Sequence, residues 1–97
     1  MLNKKDKFRL RSLANTLKPI VIIGKDGLSE NSIIAIKDAI RTHELIKVSM
    51  LKTYEGLSTK EMAELVCNTI DAELIFVVGR VFVIFKKNKE INKYEIK

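Results

Sequence analysis

The sequence has one cysteine, one proline and no tryptophan in 97 residues. The lone Cys67 cannot form an internal disulfide, and no second cysteine or patterned histidine accompanies it to hold zinc. No apolar run approaches the roughly 18 residues that a membrane-spanning helix needs. The start of the chain, Met1–Asp6, has lysines with no apolar segment behind them, so no secretory signal is visible. These absences predict a cytoplasmic protein in which Cys67 is a structural, unreactive thiol.

Catalytic signatures are missing as well. The sequence contains no HExxH, no Walker lysine motif, no GxSxG and no paired cysteines. Glu61 and Glu64 lie three residues apart on a predicted helix, but no other reactive group converges on them, so they indicate a solvated face. His43 stands at a predicted helix end, where a residue of its type favours the negative end of the dipole. We therefore expect no enzyme activity, no metal site, no cofactor and no small-molecule substrate.

The composition suits one domain covering residues 1–97. Hydrophobic residues make up 46% of the chain, which is sufficient for a compact core. The net charge of +6 is concentrated at the two ends: residues 1–18 hold six Lys or Arg and one Asp, and residues 86–97 hold five Lys and two Glu. Such cationic ends predict a nucleic acid or another anionic surface as partner. Beyond an ordered core of about 4–86, the polar tail 87–97 is expected to fray.

Periodicity and turn residues predict the element order α-β-α-β-α-β-β. Helices are predicted over 4–17, over 30–42 and after a capping box formed by Ser58 and Glu61; strands are predicted over 20–23, 45–51, 74–78 and 81–85. Gly79-Arg80 suits a type II′ hairpin turn between the last two strands. This order predicts an α/β fold with a four-stranded mixed sheet and three packed helices. The last two strands are apolar on both faces, which places them centrally or predicts that the second face is covered.

The first helix combines an apolar face with a basic one. Spacing of i, i+3, i+4, i+7 predicts a buried stripe of Leu10, Leu13, Ala14 and Leu17. Four cations fall within about 60° of arc on one flank of that stripe: Lys4, Lys7, Arg11 and Lys18. A basic stripe beside a packed face is typical of a helix lying along a phosphate backbone. Phe8 points away from the stripe, where it either stacks on an unpaired base or, more commonly, packs on a neighbouring segment.

The candidate site is the loop Gly24-Lys25-Asp26-Gly27, between an apolar strand and a helix capped by Ser29. Glycine permits positive φ and the close approach of another backbone, and a helix start offers unpaired N–H groups. The loop lacks the end of a Walker motif and the third glycine of a dinucleotide fingerprint, so it favours an extended polyanion over a small cofactor. Arg80, at the hairpin tip, is a further candidate for phosphate contact.

Four fragments in this order resemble the CRM domain, named for chloroplast RNA splicing and ribosome maturation, and in particular its single-domain bacterial YhbY-like family. The fragments are Leu17–Pro19, Ile23–Ser29, His43–Val48 and Gly79–Arg80. The resemblance spans roughly residues 4 to 86. It implies a fold similar to the C-terminal domain of translation initiation factor three, RNA binding through the GxxG loop, and association with precursors of the large ribosomal subunit.

On the matched positions, the resemblance gives Gly24, Lys25 and Gly27 the RNA-contact role, with basic residues of the first helix beside them. Asp26 departs from an ideal loop tip, because a carboxylate near phosphate is unfavourable, and we include it as a site residue that lowers affinity. The sequence thus predicts a monomeric, RNA-binding ribosome assembly factor. The alternative is a protein-interaction module that docks on a ribosomal or other protein through an apolar sheet face.

Overall fold

A computed structural model of the chain describes residues 2–96. Its elements are α1 (Lys4–Ala14), β1 (Val21–Ile23), α2 (Glu30–His43), β2 (Leu45–Met50), α3 (Thr59–Ile70), β3 (Glu73–Val78) and β4 (Val81–Phe85). The strands form one sheet in the order β1-β2-β4-β3, in which β1 is parallel to β2 and the other neighbours are antiparallel. The predicted fold class, three helices on a four-stranded mixed sheet, is confirmed. No helix within residues 2–96 is long and apolar enough to cross a membrane.

Helix α1 is shorter than its hydrophobic spacing predicts. It ends at Ala14, and the chain continues in turns in which Leu17 donates its N–H to the Ala14 carbonyl at 3.0 Å. Asn15 and Thr16 are weak helix formers, and the approaching Pro19 disfavours further helix. The buried face of α1 therefore consists of Leu10 and Ala14, whereas Leu13 is 43% exposed, so its predicted burial is wrong.

The local signals at α3 and at the hairpin are confirmed. The Ser58 hydroxyl accepts the Glu61 N–H at 3.1 Å, and the Glu61 carboxylate accepts the Ser58 N–H at 3.0 Å. These hydrogen bonds, first from the backbone and then from the side chain of Ser58, lower the pKa of Glu61. In the hairpin, Gly79 has a φ of 56° and Arg80 has none in the positive range. That sign pattern agrees with the predicted type II′ turn.

The sheet has an apolar core on each face. On the first face, α2 and α3 pack against alternate residues of all four strands, including Ile23, Val48 and Phe82. On the second face, α1 and the C-terminal segment cover a smaller cluster; it contains Leu10, Ala14, Leu45, Ile75, Val83, Phe85 and Ile96. The prediction that the last strands are central or covered is confirmed for β4, which is central. Strand β3 is an edge strand with its second face partly covered.

The C-terminal segment is docked onto the domain, which corrects the expectation that the chain frays beyond Lys86. Glu44, at the junction of α2 and β2, is fully buried. Its carboxylate accepts the backbone N–H of Asn88 at 2.7 Å and that of Lys93 at 2.5 Å, and its carbonyl accepts the Lys86 N–H at 2.9 Å. Farther along, the Ile96 side chain is only 4% exposed. The sequence conceals this docking because Glu44 and its tail partners are more than 40 residues apart.

We predict that Glu44→Ala loosens the tail and lowers the free energy of unfolding by about 3–6 kcal/mol, because it removes two hydrogen bonds to a charged group, which contribute about 1.5–3 kcal/mol each. Alanine keeps the strained backbone (φ 62°), so the difference reports the side chain. Urea unfolding and hydrogen exchange at the Asn88 and Lys93 amides measure the effect. The exposed Glu55→Ala serves as control. Equal stability and equal amide protection in the two variants would contradict the prediction.

Candidate nucleic-acid interface

Three loops meet at one end of the sheet. Because β1 and β2 are parallel, the chain leaves both strands at the same end, where Leu51 donates its N–H to the Ile23 carbonyl at 2.9 Å. The β3–β4 hairpin reaches this end as well, since the Met50 N–H is bonded to the Arg80 carbonyl at 2.8 Å. The predicted GxxG loop therefore lies beside two segments that are distant in sequence.

Residues 24–27 form a closed turn, called here the glycine turn. The Gly27 N–H donates to the Gly24 carbonyl at 3.0 Å, and neither Lys25 nor Asp26 has a positive φ, as in a type I turn. Lys25 and Asp26 are both exposed at its tip. Within residues 2–96 the N–H groups of Lys25 and Asp26 have no protein acceptor. The backbone donors open to a ligand are thus those of the tip, not that of Gly27.

The two glycines of this turn differ in what requires them. Gly27 has a φ of 82°, and a Cβ there would stand 3.0 Å from a ring carbon of Tyr54. Gly24 has no positive φ, and a Cβ there would meet no atom within 4 Å. Gly27 is therefore explained by the fold itself. Nothing in the described part of the chain requires glycine at position 24, whereas a ligand that approaches the backbone closely would.

A second turn follows β2 and is called here the lysine turn (residues 51–54). The Tyr54 N–H donates to the Leu51 carbonyl at 3.1 Å, and Lys52 is exposed at the position that corresponds to Lys25. The Tyr54 ring packs on Gly27, so the two turns are in contact. Lys52 is not among the site residues predicted from the sequence. Lys52 could have been predicted from the sequence, because both parallel strands are followed by a short turn with lysine at its second position.

Arg80 holds the lysine turn in place. Its guanidinium donates to the carbonyl oxygens of Leu51 at 2.7 Å and Tyr54 at 2.8 Å. The remaining Nε is buried and has no partner in the described residues. The predicted phosphate contact at Arg80 does not fit this geometry, because the side chain is committed to backbone carbonyls and half-buried. Its role is to position the turn next to the glycine turn.

The basic side of α1 faces the sheet rather than the tail. Arg9 and Arg11 lie about 160° apart around the helix. Arg9 donates to the Tyr94 carbonyl in the C-terminal segment, whereas Arg11 lies over the Phe76 ring of β3, 5.1 Å from its centroid. The flank with Lys4, Lys7 and Arg11, called here the basic flank, thus points toward the part of β3 that the tail does not cover. Lys18 lies beyond the helix end, so helical spacing no longer places it on this flank.

Next to the basic flank, a row of residues crosses the second face of all four strands; its two end residues are exposed and its two inner residues are partly buried. Strand register aligns Ile22 with Ser49, Ser49 with Val81, and Val81 with Val78. Ile22 is 60% exposed and Val78 is 58% exposed. This open row ends at Ile22, two positions before Gly24. The open row thus has the glycine turn near one end, and at its other end Val78 lies two residues after Phe76, over which Arg11 of the basic flank is placed.

Two other candidate residues from the sequence, Phe8 and Cys67, are not part of this surface. Phe8 is 72% exposed, so the expected packing on a neighbouring segment is wrong. Cys67 is buried, and desolvation, followed by the charges of Glu73 and Glu64, raises the pKa of its thiol to about 11, which agrees with an unreactive thiol. Within residues 2–96, no group of three or more metal-ligating side chains is present.

The mixed sheet, the exposed glycine turn and the basic helix define a small α/β domain of the type that the resemblance predicts. The sequence profile of the CRS1 / YhbY (CRM) domain matches residues 2–86, and the chain belongs to this family.

Individual relatives agree in length and fold. The chain is 36% identical over 96 residues to "Probable RNA-binding protein YqeI" of Bacillus subtilis, covering 99% of both chains. It is 31% identical over 93 residues to a protein of Haemophilus influenzae named "RNA-binding protein", covering 92% of this chain and 89% of that one. The solution structure of the hypothetical protein SAV1595 from Staphylococcus aureus has a TM-score of 0.81 at 41% identity, covering 100% of this chain and 98% of the other.

We predict opposite effects on stability for alanine at the two glycines. Gly27→Ala should lower the free energy of unfolding by about 1–2 kcal/mol, because a positive φ is unfavourable for alanine and Tyr54 must move. Gly24→Ala should leave stability unchanged or raise it by up to about 1 kcal/mol, because it restricts only the unfolded chain. Urea denaturation midpoints of the two variants measure the difference. Equal losses would show that both glycines serve the fold.

Proposed function

We propose that this protein binds RNA through the glycine turn and acts in assembly of the large ribosomal subunit. The observation that carries the proposal is Gly24, which has no conformational or packing reason to be glycine and lies directly before the exposed tip formed by Lys25 and Asp26. Relatives named as RNA-binding proteins support the class of ligand. The ribosomal role rests on the resemblance to the CRM domain. We further propose that the protein is cytoplasmic and monomeric.

In this proposal, the phosphate groups of one RNA strand contact the two turns. Lys25 and Lys52 supply positive charge, and the free N–H groups of Lys25 and Asp26 donate to phosphate oxygens. Lysine binds phosphate as a flexible point charge, so little sequence selectivity is expected from these contacts. The absence of a side chain at Gly24 lets the sugar-phosphate backbone approach the turn closely.

The open row and the basic flank extend the contact across the sheet. Bases or riboses leaving the glycine turn would lie over Ile22 and Val81, where apolar atoms replace water. Phosphates beyond them would meet Lys7 and Arg11 on α1. A surface with apolar residues between two cationic borders suits a single-stranded or looped RNA, whose bases are free to turn toward the protein.

A protein partner on the open row is the second candidate, because Ile22 and Val78 are more exposed than residues of a sheet interior. Compared with the sequence-based alternative, however, this surface is smaller, since α1 and the tail cover the rest of the second face. Crosslinking in cells followed by sequencing of the bound RNA tests the RNA proposal. Reads from large-subunit ribosomal RNA support it, messenger or transfer RNA would overturn the assembly role alone, and protein crosslinks without RNA favour the second candidate.

Lys25→Glu should weaken binding of a labelled ribosomal RNA fragment roughly tenfold or more, because it removes a charge-assisted contact and adds repulsion. The slope of log affinity against log salt should also fall by about 0.7 for the lost phosphate contact. Fluorescence anisotropy titrations at several salt concentrations measure both quantities.

The matched control is Lys5→Glu, which makes the same charge change on the side of α1 away from the basic flank. Gly24→Ala tests close approach without any change of charge and should weaken binding while the fold stays intact. Equal RNA affinity and salt slope for Lys25→Glu and Lys5→Glu would rule out the glycine turn as the site.

Asp26→Asn should strengthen the same binding about two- to fivefold at low salt, because one carboxylate beside phosphate costs up to about 1 kcal/mol in water. The turn should remain intact, since asparagine is as well suited to turns as aspartate. The gain should shrink as salt screens the charge. An affinity unchanged at low salt would mean that Asp26 points away from the bound RNA.

A further inference from the structure

A second positively charged concavity lies at the opposite end of α2 from the glycine turn. It has a volume of about 850 Å³ and is bounded by α2, the end of α3 and the segment after β4. Five cationic residues line it: Lys37, Arg41, Lys86, Lys87 and Lys89. Its apolar part is formed by Ile40, Ile70 and Ile91. We call this concavity the tail cleft.

The tail cleft is built by specific contacts. The Asn88 side chain donates to the Arg41 carbonyl at 2.7 Å, and the Asn88 N–H is bonded to the buried Glu44 carboxylate. Lys86 donates to the Ile70 carbonyl at 2.7 Å. These bonds hold the tail against the ends of two helices, so the cations stand on a defined wall of the cleft and not on a loose tail.

Stabilisation of the helix C-termini explains only part of the positive charge in the tail cleft. A cation near a helix C-terminus is favourable, and Lys86 contacts the terminal carbonyl of α3 in that way. The Lys87 and Lys89 side chains make no such contact among the described residues. Fewer acids than cations lie nearby: Glu90 lines the cleft, Asp38 lies 3.9 Å from Arg41 in an exposed pair, which stabilises little, and the buried Glu44 carboxylate is bonded to the Asn88 N–H. The cleft therefore keeps a surplus of positive charge.

We propose that the tail cleft is a second RNA-binding site, which holds the sugar-phosphate backbone of a strand against Lys37, Arg41, Lys87 and Lys89. The identity of the ligand rests on the proposed function, because the charge alone calls for a polyanion. The apolar part at Ile91, which is 45% exposed, favours RNA over inorganic phosphate, since it accommodates a ribose or base beside the bound phosphates.

The two sites stand a helix length apart. The glycine turn precedes α2 and the tail cleft surrounds its C-terminal half, and a helix of 14 residues is about 21 Å long. A stacked strand advances about 3.4 Å per nucleotide, so roughly six or more nucleotides are needed to span that distance. A longer RNA would engage both sites and gain affinity through effective concentration, whereas a tetranucleotide would occupy one site at a time.

The test is an NMR titration of the ¹⁵N-labelled full chain with tetrauridine. For the wild type we expect amide shifts in two groups, residues 24–28 and residues 37–41 with 86–91, with two tetranucleotides bound per protein. Lys87→Glu/Lys89→Glu should abolish the second group and leave the first. Lys87→Arg/Lys89→Arg, which keeps the charge, should retain both.

Longer RNA provides the second readout. For a 20-nucleotide single strand, the double charge reversal should weaken binding at least tenfold and lower the salt slope by about 1.4, which corresponds to two phosphate contacts. Lys87→Gln/Lys89→Gln, a milder change, should weaken binding in the same direction; circular dichroism confirms that each variant is folded.

The outcomes separate this proposal from the proposed function. Shifts at residues 24–28 alone, with one tetranucleotide bound, would overturn the tail cleft and leave the glycine turn intact. Shifts at the cleft alone would support the cleft and overturn the glycine turn. If neither residues 24–28 nor the amides of the cleft shift, both the glycine turn and the tail cleft are overturned as RNA sites. Tighter binding of hexa-aspartate than of tetrauridine at the cleft would overturn RNA as its ligand.

Discussion

The docking of the C-terminal segment depends on the buried carboxylate of Glu44. This carboxylate accepts hydrogen bonds from Asn88 and Lys93 in a polar segment that has little apolar surface of its own to hold it in place. Two charge-assisted bonds in a dry site compensate for the burial of the charge and for the positive φ at Glu44. Because the segment is fixed there, Ile96 reaches the second face and the tail cleft acquires a wall.

Parallel pairing of β1 with β2 has the corresponding effect at the other end of the molecule. It brings the glycine turn and the lysine turn together, and Tyr54 and Arg80 fix their relative position through ring packing and carbonyl bonds. Gly27 is required by the conformation of the closed turn and its contact with Tyr54, whereas Gly24 leaves space beside the turn for a ligand. A turn that is closed from inside can present its tip N–H groups without the entropy loss of ordering a loop at binding.

Sequence patterns predicted the elements whose signals are local. The capping box at Ser58 and the glycine of the hairpin involve partners within four residues, and both were confirmed. Long-range partners were not predictable in this way. The docking of the tail on Glu44, the commitment of Arg80 to two carbonyls, and the place of Lys52 beside Lys25 all depend on segments more than 20 residues apart. The end of α1 was missed because hydrophobic spacing continued through Leu17 after the backbone had left the helix.

Repulsion between the two cationic ends of the chain destabilises the folded state. Residues at the two cationic ends meet on the second face, where Arg9 contacts the Tyr94 carbonyl, so their charges are closer in the folded state than in an extended chain. Apolar burial of Leu10, Ala14 and Ile96 offsets this repulsion. A polyanion on the basic flank or in the tail cleft would remove part of the repulsion in the folded state alone, and its binding is thereby coupled to the stability of the docked tail.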